Sequence, residues 1–466
     1  MGTTTAAATP VSIRLVDTGK ATTTTQLNLL DELYLHLDRR GEPWVVHLEV
    51  RVGGRLDAER LARALAVAVQ QHPIARARLA SWRYSDRQYS WDILDRLSEV
   101  PLQIANCRDE GALDEARERH FAFSPSLETA PPFAVLLAHA PDGDAIVLNL
   151  NHAAVDGIGA VRFMLSILRA YAQTEDPLPS FDPLEARDVL ALAGANSTAE
   201  RYRRMRAMLR LAARQLTPTT RVARDGGSNR PGYGFDFMSL SADETRAVGN
   251  RRTPDTTVND VLLGALAVTV ARWNAMHGQH AGRIALAMPV NLRPPGWKHE
   301  VVSNLASYVS ISLEADERPD MGHAAAAAAR WTRPIKREKL AGIVVDVLNQ
   351  MSMFSVGVKR RLPDLIPLTG DVVVDTASLS NLGIVEDLPR LNDTAGPVRA
   401  VWFSQPGRMP LGTCIGALTL NGRLHLTLRY RHAQFDRPAA RAFFRLFRSV
   451  LLNERAVVAT PVAPSG

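Results

Sequence analysis

Asn149-Leu150-Asn151-His152-Ala153-Ala154-Val155-Asp156-Gly157-Ile158-Gly159 is the stretch from which the rest of this chain is read. The apolar run from Ala145 to Leu150 has strand character and delivers a histidine, and helical spacing takes over from Ile158 to about Tyr171. A histidine where the chain leaves a sheet, in a tight turn that Gly157 permits, suits a general base: the scaffold holds the ring where substrate can approach. Taken alone the pattern leaves other readings open. A single histidine after a strand is commonly a hydrogen-bonded structural residue. As metal ligands His152 and Asp156 fall short, because zinc takes three or four and no nearby Cys, His or Glu completes the set. The aspartate four residues on is well spaced to lock one imidazole tautomer.

A chain of 466 residues is too long for one core and divides into two domains of roughly 200 residues each. Hydrophobic residues at 46% and charged ones at 22% are ordinary for a globular protein, and no window approaches the ~20 apolar residues of a membrane span. Residues 1–10 lack the basic and apolar regions of a secretory signal, and Ala6 stands where a myristoylation motif has Ser or Thr. A disordered tail over residues 1–24 is therefore expected. Cys107 and Cys414 lie in no Cys-x-x-Cys pair, which fits a reducing, cytoplasmic setting. The net charge of +7 favours polyanions such as nucleic acid, an anionic membrane or a phosphate-bearing cofactor. No nucleic-acid motif accompanies it and aromatics are only 6%, so nucleic acid is not an expected partner.

Residues 25–195 form the first domain. Trp44 to Val52 alternates like a strand, and Asp57 caps a helix with Leu61, Ala64, Leu65, Ala68 and Val69 on one face. Phe133 to Ala138 is a further strand. Residues 196–234 form a linker whose Arg201–Leu216 segment predicts a helix. It carries Tyr202, Met205, Leu209, Ala212 and Leu216 on one face and Arg203, Arg206, Arg210 and Arg214 on another. Such a helix fits an anionic membrane surface. A domain linker with a solvated basic face is the competing reading. Residues 235–455 form the second domain, and 456–466 a C-terminal tail. Thr257 with Asp260 makes a capping box, strands are predicted at 284–290, 307–313, 371–378 and 416–430, and Asn421-Gly422 marks a hairpin. Two α/β halves of similar grammar, one bearing a histidine loop, place a site between them.

Two other signals compete. Gly412-Thr413-Cys414-Ile415-Gly416 matches a Gly-x-nucleophile-x-Gly elbow, but the residues after it alternate into a hairpin instead of starting a helix, so Cys414 is expected to be a buried strand residue. Asp156-Gly157-Ile158-Gly159 is too short for a phosphate-binding fingerprint and lacks its later glycine, and there is no Walker loop.

Asn151-His152-Ala153-Ala154-Val155-Asp156-Gly157 resembles the His-His-x-x-x-Asp-Gly motif of the condensation-domain superfamily. That group includes chloramphenicol acetyltransferase, carnitine acyltransferases, peptide-synthetase condensation domains and the bacterial wax ester synthase/diacylglycerol acyltransferase family. The chain is most similar to the last. The resemblance extends through Leu29 to Leu37, Thr257 to Leu262, Pro289 to Pro294, Asn304 to Ser307 and Ser380-Asn381, from about Gln26 to Leu452.

The resemblance implies an α/β (α+β) fold of two chloramphenicol-acetyltransferase-like domains with an active-site tunnel at their interface. It implies an acyltransferase with acyl-CoA as co-substrate, no permanently bound cofactor, no metal, and an alcohol acceptor. His152 would take the acceptor's proton, Gly157 would permit the turn, and Asp156 would pair with an arginine, for which Arg293 stands at the right motif position. Asn304, Ser307, Ser380 and Asn381 are candidates for oxyanion or tunnel contacts. The motif's first histidine is Asn151 here, a position that shapes the loop, and asparagine offers comparable hydrogen bonds. Two alternatives stand beside this reading: a stand-alone condensation enzyme taking its acyl group from a carrier protein to form an ester or amide, and a catalytically silent ligand-binding scaffold. The expected location is cytoplasmic, with peripheral membrane contact through Arg201–Leu216.

Overall fold

The computed structural model describes residues 9–11, 21–38, 42–97, 99–212, 217–297, 300–362, 364, 374–407 and 411–454. Two six-stranded mixed sheets organise it. The first runs Thr9–Val11, Leu102–Asn106, Phe133–His139, Ala145–Asn151, Val45–Val52 and Val398–Ser404. The strand that carries the histidine loop is third from one edge, paired antiparallel on both sides, and all seven of its residues are buried. Helices Ala58–Gln71 and Gly157–Ala172 pack together on one face of this sheet, and Glu110–Phe121 covers the other. As the sequence predicts, Asp57 caps the first of these, accepting from the Arg60 N–H at 2.6 Å.

The second sheet runs Ala306–Leu313, Ile284–Asn291, Ala377–Val385, Thr413–Leu420, Arg423–Arg431 and Tyr233–Ser239. Its apolar face is covered by helices Val258–Met276, Met321–Arg337 and Arg437–Leu452. Thr257 and Asp260 form the expected capping box, and Asn421 and Gly422 both take left-handed φ values (50° and 70°) in the hairpin turn. A small third sheet, Ala21–Gln26, Ser90–Leu94 and Ala77–Leu79, packs with helix Leu29–Leu37. The mixed α/β class and the two lobes agree with the sequence reading.

Four features differ from it. Residues 9–11 and 21–24, expected in a disordered tail, lie in strands; Thr-rich 21–26 pairs with Ser90–Leu94, where β-branched residues suit an extended backbone. The strand expected at 371–378 runs instead from Ala377 to Val385, and 371–373 lie outside the described residues. The basic helix spans Thr198–Ala212, with 213–216 outside the described residues, as are 456–466. Finally, Val398–Ser404, which lies in the second half of the sequence, crosses over and pairs antiparallel with Val45–Val52 of the first sheet. Its backbone presses on the second sheet at Gly416, where a Cβ would lie 2.0 Å from the Phe403 carbonyl oxygen. That contact accounts for the second glycine of the Gly-x-Cys-x-Gly signal. Cys414 itself is a buried strand residue, its thiol pushed up by burial.

Candidate active site

The loop after Ala145–Asn151 sits on the seam between the lobes. Its backbone is pinned from both sides: the His152 N–H donates to the Trp44 carbonyl at 3.0 Å, and the His152 carbonyl accepts from the Asn304 side chain at 2.9 Å. Asn304 belongs to the second lobe, so the residue carrying the imidazole is held by both halves at once. The ring lies against Tyr34 of helix Leu29–Leu37, with centroids 4.2 Å apart, and Tyr34 is fixed by donating its hydroxyl to the Ala306 carbonyl at 2.9 Å.

His152 retains 9% exposure. Its Nδ1 is sealed without a hydrogen-bond partner, and no hydrogen bond engages Nε2 among the described residues. Burial pushes the imidazole down to about 4, against the opposing effects of its own backbone carbonyl and of Asp156. At neutral pH the ring is therefore an uncharged, unencumbered proton acceptor.

Asp156 does a different job. Its Oδ1 accepts from the Gly159 N–H at 2.8 Å as the N-cap of helix Gly157–Ala172, and from Arg293 Nη2 at 3.0 Å. Its Oδ2 accepts from Arg293 Nη1 at 2.7 Å and from the Leu305 N–H at 2.7 Å. Neither side chain of the pair is exposed to solvent. With both oxygens taken twice, the carboxylate has no capacity left for chemistry; it clamps the helix to the second lobe. Arg293 also reaches the Ser303 and Val301 carbonyls, at 3.0 and 3.2 Å.

Gly157 corrects one expectation. It is the first residue of the helix and is not among the positive-φ residues, so no turn demands it. Space does: a Cβ would lie 2.8 Å from Leu382 Cδ2 and 2.9 Å from Phe403 Cε2. The glycine lets the helix start against the other lobe and the crossing strand.

Asn151 shapes the loop. Its amide nitrogen donates to Asp38, Ser124 and the Pro125 carbonyl at 3.2, 2.9 and 3.1 Å, while its oxygen accepts from the Ala153 N–H at 2.9 Å. Among the residues suggested for oxyanion or tunnel contacts, Asn304 is the one bonded to the histidine loop. The Ser307 hydroxyl is committed to the Ala341 carbonyl at 3.0 Å, which leaves it no proton for an oxyanion. Ser380 and Asn381 lie on Ala377–Val385, where the Asn381 oxygen accepts from the Gly383 N–H at 3.0 Å beside a register shift. Sequence reasoning missed Tyr34 and Ser303. Ser303 accepts from the Asp156 N–H and Arg293 through its carbonyl and from Arg187 through its hydroxyl, so it links both arginines of the seam. Tyr34 was visible within Leu29 to Leu37, but nothing local aims it at His152. Among the described residues no group of three or more His, Cys, Asp or Glu is placed to hold a metal ion.

Paired α/β lobes, a histidine loop on their seam and an aspartate–arginine clamp define a condensation-type, acyltransferase-like fold. The chain belongs to the condensation-domain family, whose model matches residues 33–294. It is 38% identical over 437 residues to a protein of Mycobacterium tuberculosis described as uncharacterized, covering 93% of this chain and 100% of that one. A shorter likeness, 27% over 135 residues, is to malformin synthetase of Aspergillus homomorphus, covering 29% of this chain and 2% of that protein. Among solved structures, the first condensation domain of the CDA synthetase superposes with a TM-score of 0.67 at 15% identity, over 94% of this chain and 98% of that one. The SgcC5 protein of Streptomyces globisporus, solved with an aryl ethanediol and sucrose, gives 0.62 at 15% identity over 92% and 98%.

Proposed function

We propose that the protein is an acyltransferase that moves an acyl group from a thioester to a hydroxyl acceptor, with His152 as general base. The observation that carries this is the buried, uncharged imidazole at the lobe seam, free at Nε2, beside a carboxylate wholly occupied elsewhere. The acceptor oxygen attacks the thioester carbonyl as its proton passes to Nε2. Collapse of the tetrahedral intermediate breaks the C–S bond, and the imidazolium returns the proton to the departing thiolate, giving ester and thiol. A base held near 4 is weak, so proton transfer is coupled to bond formation instead of preceding it. No covalent enzyme intermediate is needed because the thioester is already activated.

The motif resemblance to wax ester synthases and diacylglycerol acyltransferases supports acyl-CoA as the donor in this reading. The diol bound to the Streptomyces globisporus relative supports a hydroxyl acceptor. A second reading, a carrier-protein-bound acyl donor, is favoured by fold likeness to condensation domains of synthetases. A screen of acyl-CoAs and acyl-loaded carrier proteins against alcohols and amines, read by mass spectrometry, separates the two. Product formation should vanish in His152→Ala; turnover surviving that change removes the proposed base. No product from either donor class would favour a silent scaffold.

A further inference from the structure

Helix Thr198–Ala212 is attached to the protein along one narrow stripe. Buried Arg204 donates to the Ala193 carbonyl at 2.8 Å, to Asp346 at 3.3 Å and to Glu200 at 2.7 Å, and Ala207 packs against the second core. At about 100° per residue the other two stripes face away. One carries Tyr202, Met205 and Leu209 at i, i+3 and i+7, with exposures of 70%, 37% and 61%, and Met208 beside them at 40%. The other carries Arg203, Arg206 and Arg210, all exposed. A solvated linker helix would turn its apolar residues inward; here an arginine is docked and the apolar residues are outside. Eight of the sixteen large apolar side chains exposed among the described residues lie within 190–209 and 347–354, and Asp346 on helix Gly342–Met351 ties these segments together. That concentration exceeds scattered surface apolarity.

We propose that this helix seats the protein on an anionic lipid bilayer, with Tyr202, Met205, Met208 and Leu209 entering the interface. Charge selects the occupant. Arg201, Arg203, Arg206 and Arg210 are exposed and no ion pair neutralises them among the described residues, while the segment's one acid, Glu200, is held by Arg204. An apolar stripe flanked by arginines matches an anionic headgroup layer over an acyl layer, and no described helix is long and apolar enough to cross. The proposal does not rest on the acyltransferase reading, and its test needs no substrate.

The test is co-sedimentation of the full chain at low salt with phosphatidylglycerol/phosphatidylcholine vesicles and with pure phosphatidylcholine vesicles. Binding is expected to the anionic vesicles and to weaken with salt. Arg203→Glu/Arg206→Glu/Arg210→Glu should reduce it at least roughly 100-fold, at about fivefold per arginine lost. Met205→Glu/Leu209→Glu should reduce it at least about tenfold with the melting temperature unchanged, because both side chains already face solvent. Should that pair misfold, Met205→Ser/Leu209→Ser replaces it. Failure to sediment, equal binding to both vesicle types, or full binding by the apolar variants overturns the proposal. So does sedimentation equilibrium showing a dimer that the apolar variants dissociate, which would assign the stripe to a second copy.

Discussion

Replacing Asp156 by asparagine keeps the shape of the clamp and removes its charge, which makes it the most discriminating perturbation of the seam. Four donors converge on the two carboxylate oxygens, two from Arg293 and two from backbone N–H groups. An amide offers one oxygen, so its NH2 must face either Arg293 Nη1 and the Leu305 N–H or Arg293 Nη2 and the Gly159 N–H, donor against donor. The guanidinium then stays buried without a counter-ion, for which about 3–5 kcal/mol is the expected cost. Unfolding entropy near 2.1 cal/mol/K per residue amounts to roughly 1 kcal/mol/K over 466 residues, so the melting temperature should fall about 3–5 °C. Asp156→Asn, Arg293→Met and the double variant, melted by calorimetry, form a cycle. The double variant should recover about 2 kcal/mol relative to the sum, because it leaves no unpaired buried charge. Product formation should drop in both single variants, since the same clamp sets the helix behind His152. A melting temperature within 1 °C of wild type for Asp156→Asn, or additive losses, would refute the view that charge pairing holds the lobes together here.

Gly157→Ala sets helix propensity, worth about 0.5–1 kcal/mol in favour, against a Cβ driven into Leu382 and Phe403, worth about 1–3 kcal/mol against. The clash should win: thermal melts should show destabilisation, and a stabilised variant would mean the neighbours yield freely. Tyr34→Phe removes the hydrogen bond to the Ala306 carbonyl but keeps the ring on His152, so it should cost about 1 kcal/mol in a urea titration while most activity survives; abolished turnover would assign the hydroxyl a chemical role. Acid should destabilise the fold. Burial holds His72 at about 3 and His120, His152 and His425 at about 4, so between pH 6.5 and 4 the unfolded chain binds protons that the folded one refuses. The stability these neutral rings contribute is full above pH 6.5 and falls as pH drops, by roughly 2–3 kcal/mol each near pH 4.5. Asp375, raised to about 6 by burial, works oppositely and returns roughly 2–3 kcal/mol as pH falls from 6 toward 3.8. The urea midpoint should therefore fall steeply from pH 6.5 to 4.5, and a flat profile would contradict the burial of these rings.

How much of this was legible in the sequence depends on the range of the interaction that encodes it. Caps and turns are local, so Asp57, the Thr257–Asp260 box and the Asn421-Gly422 turn could be read from a few residues each. The crossing of Val398–Ser404 could not. An alternating strand satisfies the backbone of either sheet equally well, and what selects Val45–Val52 is a contact more than 300 residues away. Tyr34 and Ser303 escaped for the same reason: one meets His152 across more than 100 residues, the other joins two arginines from separate segments.

Asn151, which stands where the motif has its first histidine, is built into the loop by its own set of hydrogen bonds. An imidazole has two nitrogens and meets at most two partners in a fixed plane. Asn151 meets four, three acceptors through its NH2 and one donor through its oxygen, and they come from Asp38, Ser124, Pro125 and Ala153. Ser124 in turn donates to Asp38 at 2.7 Å, closing the set. This amide has both its nitrogen and its oxygen hydrogen-bonded, one residue from an imidazole whose buried Nδ1 has no hydrogen-bond partner. The departure from the two-histidine motif is thus a coherent loop built for asparagine. Asn151→His should lower stability by removing the donor to the Pro125 carbonyl, whereas a variant as stable and active as the wild type would show that the loop has no preference for the amide.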